Sequence, residues 1–167
     1  MLADRTAPFT PTEIARLHGY VEEGGRLLIM DHFGGGPPLP PAPDPAHYHT
    51  PPATSTKQLL AHFGFALGAP QPEATCRPTE PLPQFSGIRL AGALAVQGGT
   101  PALVSEHGVP IVAVKSIGQG RVAVFGGSRL FAVASMGQPL YAPTEAQISI
   151  YRLEYWLFVQ ILGIGKW

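Results

Sequence analysis

Thr10 to Asp31 reads TPTEIARLHGYVEEGGRLLIMD, and the order of features within it decides the fold class. Thr10 is suited to cap a helix, Pro11 fits the first helical position because no N–H is needed there, and Glu13 stands three residues on to complete a capping box. Ile14, Leu17 and Val21 recur at helical spacing as one apolar stripe, with Glu22 and Glu23 outside it. Gly24 and Gly25 supply the stop. Arg26 to Met30 then runs RLLIM, an apolar segment of the kind found in strands covered on both faces. The stretch predicts a helix-to-strand unit of an α/β domain, with Asp31 and His32 just past the strand's carboxyl end. The strand that should precede the helix is nearly absent. Only Met1 to Asp4 stand before the loop at Arg5 to Phe9, so the first strand is expected to be missing or vestigial, as in a trimmed or divergent copy or a fragment that pairs with another chain.

Composition narrows the class. A chain of 167 residues can bury a sizeable core without staples, and 13% charged residues with slightly positive mean hydropathy suit one compact domain over residues 1–167 rather than a disordered segment. The formal net charge is zero and no run of Lys and Arg offers a phosphate-tracking patch, which argues against nucleic acid as a partner. Apolar stretches fall far short of a membrane span, so a soluble domain is expected. Cys76 is the one cysteine, which excludes an intrachain disulfide and leaves the compartment open.

Proline and glycine are concentrated from Gly34 to Pro52, GGGPPLPPAPDPAHYHTPP, which can neither continue a helix nor pair as a central strand. This reads as a long surface loop, partly polyproline II. A second stretch, Ala69 to Phe85, holds five prolines and reads as a linker across one edge of the sheet. Between them a short helix is expected, capped by Thr54 or Ser55, with Leu59, Leu60 and Phe63 buried and Gly64 ending it. Strands follow at Ile88 to Val96, Ala102 to Ser105, Pro110 to Ser116 and Arg121 to Phe125, with turns at Gly98-Gly99, His107-Gly108 and Gly118-Gln119-Gly120. The last two strands are expected to form a hairpin. Thr144 to Leu162 carries Ile148, Tyr151, Leu153, Tyr155, Trp156, Val159 and Leu162 and predicts an aromatic-rich helix.

GQGRVAVFGGSRLF, Gly118 to Phe131, resembles the phrase of the class I glutamine-amidotransferase-like superfamily in which a glycine turn feeds a strand that ends in a small-residue loop. Together with YVEEGGRLLIMD, Tyr20 to Asp31, it is similar to DUF4350-type domains and, more distantly, to trehalose-utilisation-like proteins. The two phrases cover about a sixth of the chain. The resemblance implies a three-layer flavodoxin-like sheet, here with an antiparallel extension from about Ile88 to Phe125. The chain departs from the catalytic members of that superfamily, whose nucleophilic Cys sits on a glycine-flanked elbow after a strand. Cys76 lies in EATCRPTEP among prolines, and Gly126-Gly127-Ser128 stands where DUF4350-like domains carry a G-D-S phrase. The resemblance therefore implies a catalytically degenerate member.

Three groupings carry candidate chemistry. Asp31 and His32 with Asp44, His47 and His49 include a His-x-His pair whose imidazoles would fall on one side of an extended segment, as a zinc site requires. Surface histidines and a loop-bracing Asp31 are the plainer reading, although open α/β sheets bind ligands at the edge where Asp31 would lie. Gly126-Gly127-Ser128-Arg129 follows the best strand of the second half and could cradle an anion through backbone N–H groups, or could equally be a close-packed turn. Ser105-Glu106-His107 assembles triad residue types, but consecutive residues do not form a triad and these read as a turn.

The expected function is a non-catalytic binding or scaffold domain without a cofactor. A small ligand or a protein partner, including a second copy, would be met at the carboxyl edge by Asp31, His32, Gly126, Gly127, Ser128 and Arg129. The competing expectation is a metal-dependent hydrolase using Asp31, His32, His47 and His49. Tyr151, Tyr155, Trp156, Phe158 and Trp167 offer large apolar surface, some to cover the sheet and some for a partner.

Overall fold

The computed structural model describes residues 8–30, 56–80, 84–131, 136 and 142–163. The expected strand stub at Met1 to Asp4 and the proline-rich loop at Gly34 to Pro52 lie outside the described residues. Helix α1, Pro11–Glu22, begins as its sequence dictates. The Glu13 backbone N–H donates to Thr10 Oγ1 at 3.3 Å, and the Thr10 N–H donates to Glu13 Oε2 at 2.8 Å, which closes the capping box. The chain then turns into β1, Arg26–Met30, where Leu27, Leu28 and Ile29 are all buried.

The remaining elements are α2 (Lys57–His62), β2 (Ala66–Pro70), β3 (Ala74–Pro78), β4 (Ile88–Leu90), β5 (Leu94–Gln97), β6 (Thr100–Ser105), β7 (Pro110–Ile117), β8 (Gly120–Phe125) and α3 (Glu145–Trp156). A 3-10 turn at Ser128–Phe131 follows β8, and α3 ends in a π-helical turn at Leu157–Ile161. Among the described residues, six strands form a mixed sheet in the order β1-β8-β7-β6-β3-β4, and β2 pairs with β5 in a separate two-stranded ribbon. Among these strands only β1 and β8 run parallel; the other pairings are antiparallel. The two glycine-strand phrases from the two ends of the chain are thus direct neighbours, with Arg26 opposite Arg121 and Met30 opposite Phe125.

Alternation along these strands builds two cores. Leu27, Ile29, Val122 and Val124 point to the face covered by α1 and α2, where Ile14, Val21, Leu59, Leu60 and Phe63 meet them. Leu28, Ala123 and Phe125 point to the opposite face, against Ile150, Leu153 and Trp156 of α3 and Leu157 of the π turn. Burial on both faces explains why β1 and β8 read as near-continuous apolar runs. Arg121 Nη1 donates to the Ile161 carbonyl at 3.3 Å, tying the carboxyl end of the last helical segment back to the start of β8.

Several expectations need correction. Ala69 to Phe85 is not a linker: it holds the end of β2 and all of β3, with Ala74, Cys76 and Pro78 facing inward in alternation. Its prolines were misleading because Pro70 and Pro78 sit at strand ends, where a missing N–H costs little. The antiparallel part of the sheet therefore starts at Ala74, not at Ile88. Ile88 to Val96 is not one strand either. The chain breaks at Gly92, whose φ of +69° favours glycine, and β5 leaves the main sheet to join β2. Helix α2 starts after Thr56, one or two residues later than the expected caps, which lie outside the described residues. The expected hairpin of β7 and β8 is present, joined at Gly118 and Gln119. Helix α3 carries a second capping box that the sequence reading passed over, with the Gln147 N–H donating to Thr144 Oγ1 and the Thr144 N–H to Gln147 Oε1.

Candidate functional site

The parallel pair of β1 and β8 brings two strand ends to one edge, with Met30 opposite Phe125. Asp31 and His32 follow Met30 in the chain but lie outside the described residues, as do Asp44, His47 and His49. Of the candidate ligand residues, Gly126, Gly127 and Ser128 are described, together with the backbone of Arg129, whose side chain lies outside what is described.

The backbone of Gly126 is already occupied. Its N–H donates to the Ile111 carbonyl at 3.1 Å, and its carbonyl accepts from the Leu94 N–H at 2.7 Å, so this residue fastens β8 to both β7 and β5. A Cβ added at Gly126 would sit 2.2 Å from the Leu94 carbonyl oxygen, a backbone atom that cannot move aside. At Gly127 a Cβ would meet the Phe125 ring at 2.5 Å, and the Gly127 carbonyl accepts from the Leu130 N–H at 3.1 Å to open the 3-10 turn. Close packing therefore accounts for both glycines. The anion-cradle reading loses the Gly126 N–H, one of the donors it needs. Ser128 Oγ differs: it is buried without a hydrogen-bond partner among the described residues.

Other candidate reactive groups are tied into the fold. The Ser105 hydroxyl accepts from the Val109 N–H at 3.1 Å, and the Gly108 N–H donates to the Ser105 carbonyl at 2.8 Å. Glu106 braces the same turn against β3: its N–H donates to the Thr75 carbonyl at 2.8 Å, and its Oε1 accepts from the Thr75 N–H at 3.3 Å. Ser105-Glu106-His107 is thus the β6–β7 turn. Cys76 is buried in β3, facing the α3 core, and its Sγ–H points to the Ala74 carbonyl at 3.8 Å. Burial, then the nearby Glu106 carboxylate, push its thiol from an ordinary value of 9.0 to about 11, the opposite of what a nucleophile needs.

A polar cluster absent from the sequence expectations lies where α1 meets α2. His18 Nδ1 and His62 Nε2 stand 3.0 Å apart, and His18 Nε2 lies 3.2 Å from Glu22 Oε1 one turn along α1. The His18 ring stacks on Phe63 at 5.7 Å and meets the His62 ring edge-on at 4.9 Å. The His18–Glu22 spacing of four residues was legible on the helix. Nothing in the sequence links His18 to His62, which are 44 residues apart across the proline-rich stretch.

No family model matches the chain, and no curated protein matches it. Solved structures do. The mmIFT52 N-terminal domain is 16% identical with a TM-score of 0.64, the alignment covering 99% of this chain and 76% of that one, so the two share an overall fold. An exo-beta-1,4-mannosidase, Op5Man5, from Opitutaceae bacterium strain TAV5 is 18% identical with a TM-score of 0.47, over 90% of this chain and 23% of that one. A beta-galactosidase from the Antarctic haloarchaeon Halorubrum lacusprofundi is 16% identical with a TM-score of 0.44, over 96% of this chain and 21% of that one. The chain spans less than a quarter of the length of either glycosidase. Among the described residues no helix is long and apolar enough to cross a membrane.

Proposed function

We propose that this chain is a non-catalytic binding or scaffold domain on an amidotransferase-like, flavodoxin-like sheet, meeting a small ligand or a protein partner at the carboxyl edge of β1 and β8. The observation that carries the reading is the state of the reactive groups: Cys76 is buried with its thiol pushed to about 11, and the Ser105 hydroxyl is taken up by the turn it sits in. The amidotransferase-like part rests on the two glycine-strand phrases, which are parallel neighbours in register. Ser128 Oγ, buried and unpaired among the described residues beside that strand end, supports a ligand contact there. Tyr151 and Tyr155 lie exposed on α3 while Trp156 faces the core, which supports a protein contact, whether with another protein or a second copy. The fold shared with a structure described as an N-terminal domain fits a module of this kind.

Labelling the folded chain with iodoacetamide and with a fluorophosphonate tests the reading. No residue should be modified before global unfolding. Stoichiometric modification of a single Ser or Cys in the folded chain would overturn it. Zinc-dependent ester hydrolysis that is lost in His47→Ala would replace it with the hydrolase.

A further inference from the structure

The α1–α2 junction has a geometry that a divalent transition metal can use. Glu22 is acceptor-only when ionised, so its contact with His18 Nε2 places the ring proton on that nitrogen. In the neutral ring the lone pair of His18 is then on Nδ1, the atom that faces His62 Nε2 at 3.0 Å. A carboxylate fixing the far nitrogen of a histidine is the arrangement that orients metal-bound imidazoles and raises their basicity. Two imidazole nitrogens about 2.0–2.1 Å from one metal are about 2.8 Å apart at a right angle and about 3.4 Å apart at a tetrahedral one. The observed separation lies between these values, so the two nitrogens already stand at chelating distance, and the exposed His62 ring has to turn so that both lone pairs meet at the ion.

We propose that His18 Nδ1 and His62 Nε2 chelate one copper(II), nickel(II) or zinc(II) ion, with Glu22 as the positioning residue behind His18. Metal entry replaces the hydrogen bond between the rings: the proton on His62 Nε2 is lost to solvent, and Nδ1 of that ring takes one up, leaving Nε2 free to ligate. Among the described residues no further His, Cys, Asp or Glu side chain joins these two nitrogens in a metal site, so the remaining coordination positions are open to water. The partners are held on a firm base. Leu59, Leu60 and Phe63 seat α2 in the core, and Lys115 Nζ donates to the Phe63 carbonyl at 3.1 Å, fixing the end of α2 to β7. The ion would clamp the first helix to the second. This site is distinct from the Asp31, His32, His47 and His49 grouping and does not depend on the proposed binding role.

Isothermal titration of the full chain with zinc(II), paired with electron paramagnetic resonance of the copper(II) complex, tests the site. One ion should bind per chain, with two imidazole nitrogens in the copper spectrum. His18→Ala and His62→Ala should each weaken binding at least tenfold, and Glu22→Gln should weaken it severalfold, while His47→Ala with His49→Ala leaves it unchanged. Far-ultraviolet circular dichroism of each variant should match the parent. Absence of binding by the folded parent, unchanged affinity in His18→Ala, or loss confined to the His47→Ala, His49→Ala chain would overturn the proposal.

Discussion

The turn after β8 and the junction of α1 with α2 are both polar, but their polar groups are used differently. After β8, the N–H and carbonyl of Gly126 and the carbonyl of Gly127 all bond within the chain, and the missing side chain at Gly126 lets the backbone of β5 come close, while that at Gly127 makes room for the Phe125 ring. At the helix junction, His18 touches both Glu22 and His62 at the surface while the residues beneath them do the packing. A glycine-rich loop after a strand thus marks a place where backbones crowd, and crowding serves sheet closure as well as ligand binding. Surface side chains at a helix–helix junction are freer to change partners.

Substitutions should separate the two regions. Gly126→Ala should have the largest effect, destabilising by about 2–3 kcal/mol in denaturant titration, because the new methyl meets the Leu94 carbonyl. A cost within about 0.5 kcal/mol would mean the turn is loose and open to a ligand. The β3 thiol gives a second contrast. Its proton is held in the folded state up to about pH 11 but released near pH 9 on unfolding, so the unfolded state binds fewer protons between those values. The stability of the parent should therefore fall as pH rises from 9 to 11, more steeply than that of Cys76→Ala; parallel curves would show a thiol open to water.

Smaller effects follow at the helix starts. Thr10→Ala and Thr144→Ala each remove a cap that accepts a backbone N–H, and each should cost about 1 kcal/mol in thermal unfolding. The least is expected of His18→Ala without metal, within about 0.5 kcal/mol, because an exposed polar pair contributes little. A loss above about 2 kcal/mol would make the junction structural, like the turn it is contrasted with.

Much of the architecture was legible because it rests on local rules. Thr10, Glu13, the apolar stripe and Gly24 each specify one step of α1 and its exit, and β1 followed from unbroken apolar residues. The β7–β8 hairpin followed from its glycine turn. The illegible part was non-local. Prolines hid β3 because proline content says nothing about whether a proline stands at a strand's end or middle. The departure of β5 to β2 is a choice of partner between segments that either sheet could accept. At the carboxyl edge, Gly126 was identified as special, but its reason, the approach of Leu94 from 32 positions earlier, is not written in neighbouring residues. His18 and His62 meet only because α1 and α2 cover the same face of the sheet, so the pair could not be found before the fold was known.

The contrast is tested most directly by thermal unfolding of the parent, His18→Ala and the His47→Ala, His49→Ala chain, each with chelator and with the same zinc concentration, about a hundredfold above the parent's dissociation constant. An ion bound only by the folded chain should raise the midpoint by about 5–10 °C. That rise is predicted in full in the parent and in the His47→Ala, His49→Ala chain, and should fall to about half or less in His18→Ala, whose site is at least tenfold weaker. A rise that survives in full in His18→Ala and vanishes in the loop variant, or no rise in the parent, would contradict the account.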